Sequence, residues 1–335
     1  MATPVADRSV RGVPSHPEPG VAELVARRGG DAQERVAFVE GASGRELRGG
    51  DLEQATRGWA PVVAGIGGGG SAAPVGLLVG DPLGFIACFV AALALGVTVA
   101  PLDPDASPAE LDRQARVLGL VAVVTDRPAG EVVAAIPGSV GVWEVVAGGA
   151  LRRGRPPSPP TSRAPAAGRP AAAVVMMSSG TTGEPKIVPL GERQLLATAR
   201  AIVDHHGLDE AERGYCPLPL CHINALVVGV LSTLVSGARL VVDRRFSARS
   251  FWATVADQGA TWLNLVPGII AVLGTCPPPA PPAGSSPKPS TKAATTDGPP
   301  ATPPPPPSNN PCGPGCAPSP PRPERTSGEV ADRPG

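Results

Sequence analysis

The chain has 335 residues, a length for two domains or one large one. Lys plus Arg and Asp plus Glu number 29 each, so the formal net charge is zero and offers no basic surface for nucleic acid or an anionic membrane. Aromatics are only 3%, with Tyr215 the single tyrosine, so the core must be built from small aliphatic side chains. The six cysteines (Cys88, Cys216, Cys221, Cys276, Cys312 and Cys316) are irregularly spaced in a long chain, which argues against a disulfide framework. Met1 to Gly20 carries no apolar segment of a secretory signal, so a cytoplasmic protein is expected.

Residues 1–20 read as a flexible N-terminus. From Val21 to Thr125 helix and strand patterns alternate, as expected of a parallel α/β sheet. Val21–Arg28 is a short amphipathic helix and Arg35–Glu40 a strand. Gly50–Gly65 reads as one helix, with Leu52, Ala55, Trp59 and Val63 near helical spacing. Pro74–Val79 is a continuous apolar strand of the kind buried on both faces. Leu83–Ala100 runs for eighteen residues without a charge, the lower limit for a membrane span. Its flanks carry Asp81, Asp103 and Asp105 rather than Lys or Arg, and Gly96 precedes a β-branched run. The stretch therefore reads as a buried helix followed by the strand Val97–Ala100. Ser107-Pro108-Ala109-Glu110 is a capping box opening a helix to Leu118, and Leu120–Thr125 is the next strand.

Residues 21–150 thus form a first α/β subdomain and residues 151–170 a Pro/Arg-rich exposed connector. Residues 171–275 form a second α/β subdomain. In it Ala171–Met177 is a strand, Gly191–His206 a helix, and Tyr215–His222 an extended segment. Asn224–Val235 is an apolar helix, Ala238–Val242 a strand, Phe246–Asp257 a helix, Thr261–Val266 a strand, and Gly268–Leu273 the start of another helix. Residues 276–335 hold 21 of the 44 prolines and no Leu, Ile, Met, Phe, Tyr or Trp. Such a segment cannot bury enough apolar surface to offset its ordering entropy and is expected to be a disordered Pro-rich tail. Its run Pro303–Pro307 favours polyproline II, which a proline-recognising module would bind.

The chemistry concentrates at Ser178-Ser179-Gly180-Thr181-Thr182-Gly183-Glu184-Pro185-Lys186, directly after an apolar strand. Glycines let the backbone approach an anion closely, hydroxyls add donors, and Lys186 adds a mobile charge. This is a phosphate-holding composition, richer than an ordinary turn requires. It is not a Walker loop, because the glycines are three apart and Lys186 follows a proline.

The segment closely resembles the phosphate-binding signature of the adenylate-forming superfamily, which includes acyl-CoA synthetases, peptide-synthetase adenylation domains and luciferases. The likeness continues in Arg35-Val36-Ala37-Phe38, Gly76-Leu77-Leu78-Val79 and Gly96–Pro104. Pro217-Leu218-Pro219-Leu220-Cys221-His222 resembles the family's second signature, at the acyl pocket, and Ala260–Pro267 extends the similarity. In style the chain is more similar to a carboxylate–CoA ligase than to a peptide-synthetase domain. The resemblance implies an α/β fold, the N-terminal large domain of adenylate-forming enzymes, with helices packed on mixed, mostly parallel sheets. It implies ATP, Mg²⁺ and CoA as cofactors and a carboxylic acid as substrate. Ser178, Ser179, Gly180, Thr181, Thr182, Gly183 and Lys186 would hold the β- and γ-phosphates. Lys186 and His222 would be the catalytic residues, Lys186 offsetting charge on departing pyrophosphate and His222 orienting the carboxylate at the α-phosphate. No metal ligand is carried over.

The sequence also departs from the family. Cys221 stands where an aromatic is common, Ala225 where Gly is frequent, and Ile187 where a glycine usually follows the lysine. With no tyrosine after Tyr215, the family's tyrosine-glycine-x-threonine-glutamate motif, whose Glu holds Mg²⁺, is not in this chain. Thr296-Asp297-Gly298 has the wrong order for the ribose-binding Thr-Gly-Asp, and Lys288 and Lys292 fall in the Pro-rich tail. The chain therefore reads as a truncated large domain joined to unrelated sequence, as a frameshift in GC-rich coding DNA would produce. The alternative to an active ligase is a non-catalytic pseudoenzyme with at most weak nucleotide binding.

Four weaker signals have bland readings. Gly65–Gly70 matches G-x-G-x-x-G by letter but follows a helix and precedes a strand, the reverse of the dinucleotide fingerprint. Cys216, Cys221 and His222 reach zinc's four ligands only if the tail folded back. His222 alone reads as a core histidine; beside the phosphate loop it reads as a pocket residue. His205 and His206 end a helix, where positive charge suits the dipole.

Overall fold

The computed structural model describes residues 18–30, 32–67, 73–146, 151–157, 172–178, 186–275 and 292–294. Helix α1 (Val21–Gly29) is followed by strand β1 (Val36–Glu40) and strand β2 (Glu46–Arg48). Helices α2 (Gly49–Gly58) and α3 (Ala60–Gly65) replace the single helix expected there. They part at Trp59 because the Pro61 ring removes an N–H and clashes with the carbonyl one turn back. The expected alternation then holds: β3 (Val75–Leu78), α4 (Pro82–Ala94), β4 (Val99–Pro101), α5 (Pro108–Leu118) and β5 (Ala122–Thr125). Helix α5 starts as the capping box predicts, with Ser107 accepting from the Glu110 N–H, and stops at Gly119 in the left-handed region, φ 66°.

Helix α6 (Ala129–Ala135) and strands β6 (Gly141–Val145) and β7 (Leu151–Arg155) follow. Strand β7 corrects the connector, whose first residues pair antiparallel with β6. Arg155 anchors it by donating to the carbonyls of Val133, Pro137 and Val140 at 2.7–3.2 Å, and Arg152 pairs with Glu144 at 2.9 Å. Its exposed arginines suit an edge strand. Residues 158–170 of the connector lie outside the described residues.

Strands β8 (Val174–Ser178) and β9 (Lys186–Leu190) form a hairpin, followed by α7 (Glu192–His206) and β10 (Arg213–Cys216). The expected apolar helix is a π-helix, Ala225–Leu231, running into α8 (Ser232–Ser236). All seven π-helical residues are buried, so no amphipathic period marked the helix type in sequence. Strand β11 (Arg239–Val242), helix α9 (Ala248–Asp257), strand β12 (Trp262–Asn264) and helix α10 (Pro267–Thr275) complete the expected order. Within the expected tail, Lys292–Ala294 is a strand, β13, parallel to β12. The remainder, with Pro303–Pro307, lies outside the described residues.

Two sheets result, a six-stranded one ordered β13-β12-β10-β11-β1-β2 and a seven-stranded one ordered β7-β6-β5-β3-β4-β8-β9. They are mixed and mostly parallel; the antiparallel members are β2, β7 and β9. Sheet membership does not follow the sequential division at the connector. Strand β1 leaves the first half to pair with β11, and β8 with β9 leaves the second half to pair with β4. Helix α4 explains the exchange. It is apolar all round, is buried, and packs against both sheets, so each sheet needs strands from both halves to enclose it.

Side chains sort by the two-residue period of strands. Val75 and Leu77 of β3 join the central core around α4, while Leu78 faces α5 and α6. Phe38, Leu240 and Val242 face that same central core, while Val39, Tyr215 and Val241 face Phe251 of α9. The layers therefore read helix, sheet, helix, sheet, helix. Among the described residues no helix is long and apolar enough to cross a membrane. The charge-free run that begins at Leu83 is divided between α4 and β4.

Candidate functional site

The phosphate-loop motif is flanked by β8 and β9, which pair antiparallel. Val174 and Val175 favour extended backbone, and the ladder runs from Val174 opposite Leu190 to Ser178 opposite Lys186. Pro189 is tolerated because β9 is an edge strand. The end of the hairpin away from the motif is tied down. Val99 N–H donates to Ala173 O at 2.9 Å, and Thr98 Oγ1 donates to Ala172 O at 2.6 Å. The ladder ends at Ser178 and Lys186, bracketing the seven motif residues 179–185. Ser179, Gly180, Thr181, Thr182 and Gly183 lie outside the described residues. The Lys186 side chain is exposed.

Strand β8 is parallel to β4, β4 to β3, and β3 to β5. The carboxyl end of β8 at Ser178 therefore lies at the same edge as Gly80-Asp81, Leu102–Pro104 and Asp126-Arg127. In open α/β sheets ligands bind outside the carboxyl ends of the strands. Here the other sheet brings its carboxyl ends to the same place. Pro219, Leu220 and Cys221 after β10, and Asp243 and Arg244 after β11, meet Val79, Gly80 and Leu102 around a cavity of about 30 Å³. Beside it an open cleft of about 490 Å³ is lined by Glu40, Asp81, Asp126, Arg127 and Arg244.

The charges in this cleft are largely engaged. Asp126 accepts the N–H groups of Gly80 and Asp81, each at 2.8 Å. Asp81 caps α4 by accepting the Gly84 N–H at 2.8 Å and pairs with Arg45, which also holds Glu40 at 2.9 Å. Arg127 donates to the Pro104 carbonyl. Arg244 pairs with Asp105 at 2.9 Å, and Arg245 binds the same carboxylate. The Arg245 hydrogen bond is the first cause holding the Asp105 carboxyl below its usual range. The cleft is a braced, charge-balanced rim rather than a field of one sign.

His222 is exposed, at the end of a turn in which its N–H donates to Pro219 O at 3.1 Å. It is not a core histidine. Cys221 is half-buried at the small cavity, and burial pushes its thiol up to about 11. Cys216 is fully buried and accepts from Asn264 Nδ2 at 3.4 Å, with its thiol also raised by burial to about 11. These are protonated thiols at neutral pH, poor as nucleophiles and as metal ligands. Among the described residues no three His, Cys, Asp or Glu side chains gather as a metal site.

Sequence reasoning found Pro219–His222 and the hairpin motif but not Asp81, Asp126, Asp243 or Arg244. A signal existed: each of the three acids comes one to three residues after an apolar strand, at Leu78-Val79-Gly80-Asp81, Val124-Thr125-Asp126 and Val242-Asp243.

The family model described as AMP-binding enzyme matches residues 25–303. The chain belongs to the AMP-binding enzyme family. That match runs past residue 276, where the composition changes, and includes β13. Similar proteins include the sulfoacetate–CoA ligase of Cupriavidus necator, 48% identical over 103 residues, covering 31% of this chain and 20% of that protein. The 4-coumarate–CoA ligase 5 of Oryza sativa subsp. japonica is 30% identical over 262 residues, covering 74% of this chain and 47% of that protein. The chain thus spans about half the length of this curated relative. In fold it resembles O-succinylbenzoate coenzyme A synthetase (MenE) from Bacillus subtilis in complex with AMP. That likeness has TM-score 0.61 and 21% identity over 77% of this chain and 65% of the other. The N-terminal domain of FACL13 from Mycobacterium tuberculosis gives TM-score 0.60 and 20% identity over 76% and 65%. The fold is therefore that of the N-terminal domain of adenylate-forming enzymes.

Proposed function

We propose that this chain is the nucleotide-binding part of an AMP-forming acid–CoA ligase. The observation that carries the reading is the β8–β9 hairpin, whose paired ends Ser178 and Lys186 bracket the hydroxyl- and glycine-rich motif at the carboxyl edge of a parallel sheet. In this reading Ser178, Ser179, Gly180, Thr181, Thr182 and Gly183 hold the β- and γ-phosphates of ATP. A carboxylate oxygen of the acid attacks the α-phosphorus, the bond to the bridging oxygen breaks, and pyrophosphate leaves. Lys186 offsets the charge that develops on the leaving group. His222, exposed at its turn and free of a core role, orients the carboxylate. The thiol sulfur of CoA then attacks the acyl carbon of the acyl-adenylate, and AMP leaves.

Mg²⁺, which the family resemblance implies, takes oxygen ligands. Glu40, Asp81 and Asp126 are the acids of the cleft, and each already holds Arg45 or backbone N–H groups. They do not fit that role, so no described residue is assigned to the metal.

A second reading is favoured by one observation, the abrupt change to a Pro-rich composition at residue 276, ahead of any Tyr-Gly-x-Thr-Glu motif of the family. In that reading the chain binds nucleotide at most weakly and without turnover, and the Pro-rich sequence after residue 276 arises from a frameshift. Reading the coding DNA in its other two frames beyond that point tests the frameshift; absence of that motif there removes it.

Calorimetry of ATP binding to Met1–Gly335 beside a Lys186→Ala variant tests the common part of both readings. Saturable binding weakened about tenfold or more by the substitution is expected, as for loss of one charge-assisted contact. Soluble protein that binds no ATP overturns the ligase reading. Pyrophosphate release with a panel of carboxylic acids then separates them, since only the ligase reading predicts it.

A further inference from the structure

The two spaces at the crevice are neighbours with a shared wall. Leu220, Cys221 and Asp243 line the cavity of about 30 Å³ and not the open cleft of about 490 Å³. Among the described residues, Gly80, Pro82, Pro104 and Arg244 line both, so they form the partition. Gly80 offers only backbone there, and the rings of Pro82 and Pro104 are fixed to theirs. Arg244 alone of these residues carries a side chain that can rotate out of the way.

Arg244 crosses from one sheet to the other. Its backbone leaves β11 of the six-stranded sheet, and its guanidinium reaches the exits of β3 and β4 in the seven-stranded one. At β3 it lies against Gly80: a Cβ at residue 80 would meet Arg244 Cζ and Nη2 at 3.6 Å and the Pro104 ring at 3.5 Å. A longer side chain there would hold the guanidinium off, and glycine admits it. Beyond β4, Nη2 of Arg244 pairs with Asp105 at 2.9 Å.

This bar is held lightly. The Arg244 and Asp105 side chains are each about half exposed, and exposed ion pairs contribute little once water and salt screen them. Asp105 keeps the guanidinium of Arg245 when Arg244 departs, so neither charge is stranded. Arg155 shows the contrast: an arginine that fixes its strand donates to three carbonyls. We propose that Arg244 is a gate between the cleft and the cavity at Cys221. In place, it leaves the cavity room for about two waters. Swung toward solvent, it joins the two spaces into one. The consequence for substrate rests on the ligase reading above, in which His222, next to Cys221, orients the acid's carboxylate. There the gate selects acids by the length of tail that the cavity must take.

The test labels Cys221 in the full chain with N-methylmaleimide and with the bulkier N-phenylmaleimide, each site's rate being read by peptide mapping. It needs neither nucleotide nor turnover, so it decides the gate whatever becomes of the ligase reading. The readout is the ratio of the bulky to the small reagent's rate, which cancels any change in thiol ionisation. Expected is a severalfold rise in that ratio for Arg244→Ala. Asp105→Asn, which keeps the arginine but unclasps it, gives a smaller rise. In the natural chain the ratio rises with salt, and in Arg244→Ala it does not. The buried Cys88 and Cys216 report on the fold by staying unlabelled. If Arg244→Ala exposes them, Asp105→Asn and the salt dependence of the natural chain decide. A ratio unchanged in both variants and in salt overturns the gate. So does a rise at Cys221 that Cys88 and Cys216 match in every case. Pyrophosphate release with straight-chain acids of increasing length then reads the selection, with Arg244→Ala shifted toward the longer acids. An unshifted preference overturns the selection, and release with no acid overturns the ligase reading and the selection together.

Discussion

The phenol of Tyr215 donates a 2.6 Å hydrogen bond to Asp243 Oδ2, joining β10 to the segment that leaves β11. The chain's single tyrosine thereby holds a carboxylate at the wall of the crevice. Tyr215→Phe takes the phenol donor away from this carboxylate, leaving it the Ala42 backbone, and is expected to cost about 1–3 kcal/mol, read from urea unfolding. An unchanged midpoint would show that the pair contributes nothing net.

Asp243 also sets a pH dependence. Burial is the first cause raising its carboxyl above the ordinary 3.8, against the lowering effect of Tyr215. A carboxyl whose pKa rises on folding favours the folded state while protonated. Its contribution is present below 3.8 and is lost as pH rises through the raised value. Asp243→Asn cannot ionise. Its stability relative to the natural chain is expected to improve between about pH 3.5 and about pH 7. Urea midpoints for the two proteins at both pH values check the sign.

Gly49 opens α2 where α1 ends. A Cβ there would meet the carbonyl oxygen of Ala32 at 2.8 Å and that of Arg28 closer still. Both are backbone atoms that cannot rotate away. Gly49→Ala is expected to cost about 3 kcal/mol, the upper part of the range for overpacking. Gly44→Ala has open space but a φ of 72°, and is expected to cost about 1 kcal/mol from backbone strain alone. Denaturant midpoints of the two variants rank the mechanisms.

Helix α1 has no side-chain cap from its own N-cap, Gly20. Glu192, the first residue of α7, supplies one by accepting the Val21 N–H at 2.7 Å. Glu192→Ala is expected to destabilise by about 1 kcal/mol and to speed hydrogen exchange at Val21 before exchange rises elsewhere. Equal acceleration throughout the chain would mean the contact is not a local cap.

The cysteines give a chemical readout. Burial raises the thiols of Cys88, Cys216 and Cys221 to between about 11 and about 12. At neutral pH Cys221 is expected to alkylate roughly a hundredfold more slowly than an unperturbed thiol, and Cys88 and Cys216 only after unfolding. Peptide mapping after brief iodoacetamide treatment resolves them.

What was legible depended on how local the cause was. Ser107, Pro108 and Gly119 mark α5 within its own sequence, and α4 declares itself by thirteen residues without a charge. The phosphate motif was legible because its glycines and hydroxyls are contiguous. Strands β2, β7 and β9 were not, because ELR, LRRGR and KIVPL are edge segments whose pairing partner, rather than their own pattern, makes them strands. The π-helix was hidden because burial on every side erases any period. Asp243 and Arg244 belong to the crevice only because β11 lies beside β1, some two hundred residues earlier in the chain.

The exchange of strands between the two sheets has a consequence for synthesis. Residues 36–48 emerge from the ribosome early, but their parallel neighbour β11 arrives only after residue 238. Until then β1 exposes Phe38 and an unpaired row of amides, and α4 lacks one of its two walls. Such long-range pairing is slow to form and exposed to misassociation while it waits. A break in the chain between residues 158 and 170 would yield two fragments that each hold incomplete versions of both sheets. Neither fragment would fold alone, and co-expressed they would recover one body only by finding each other.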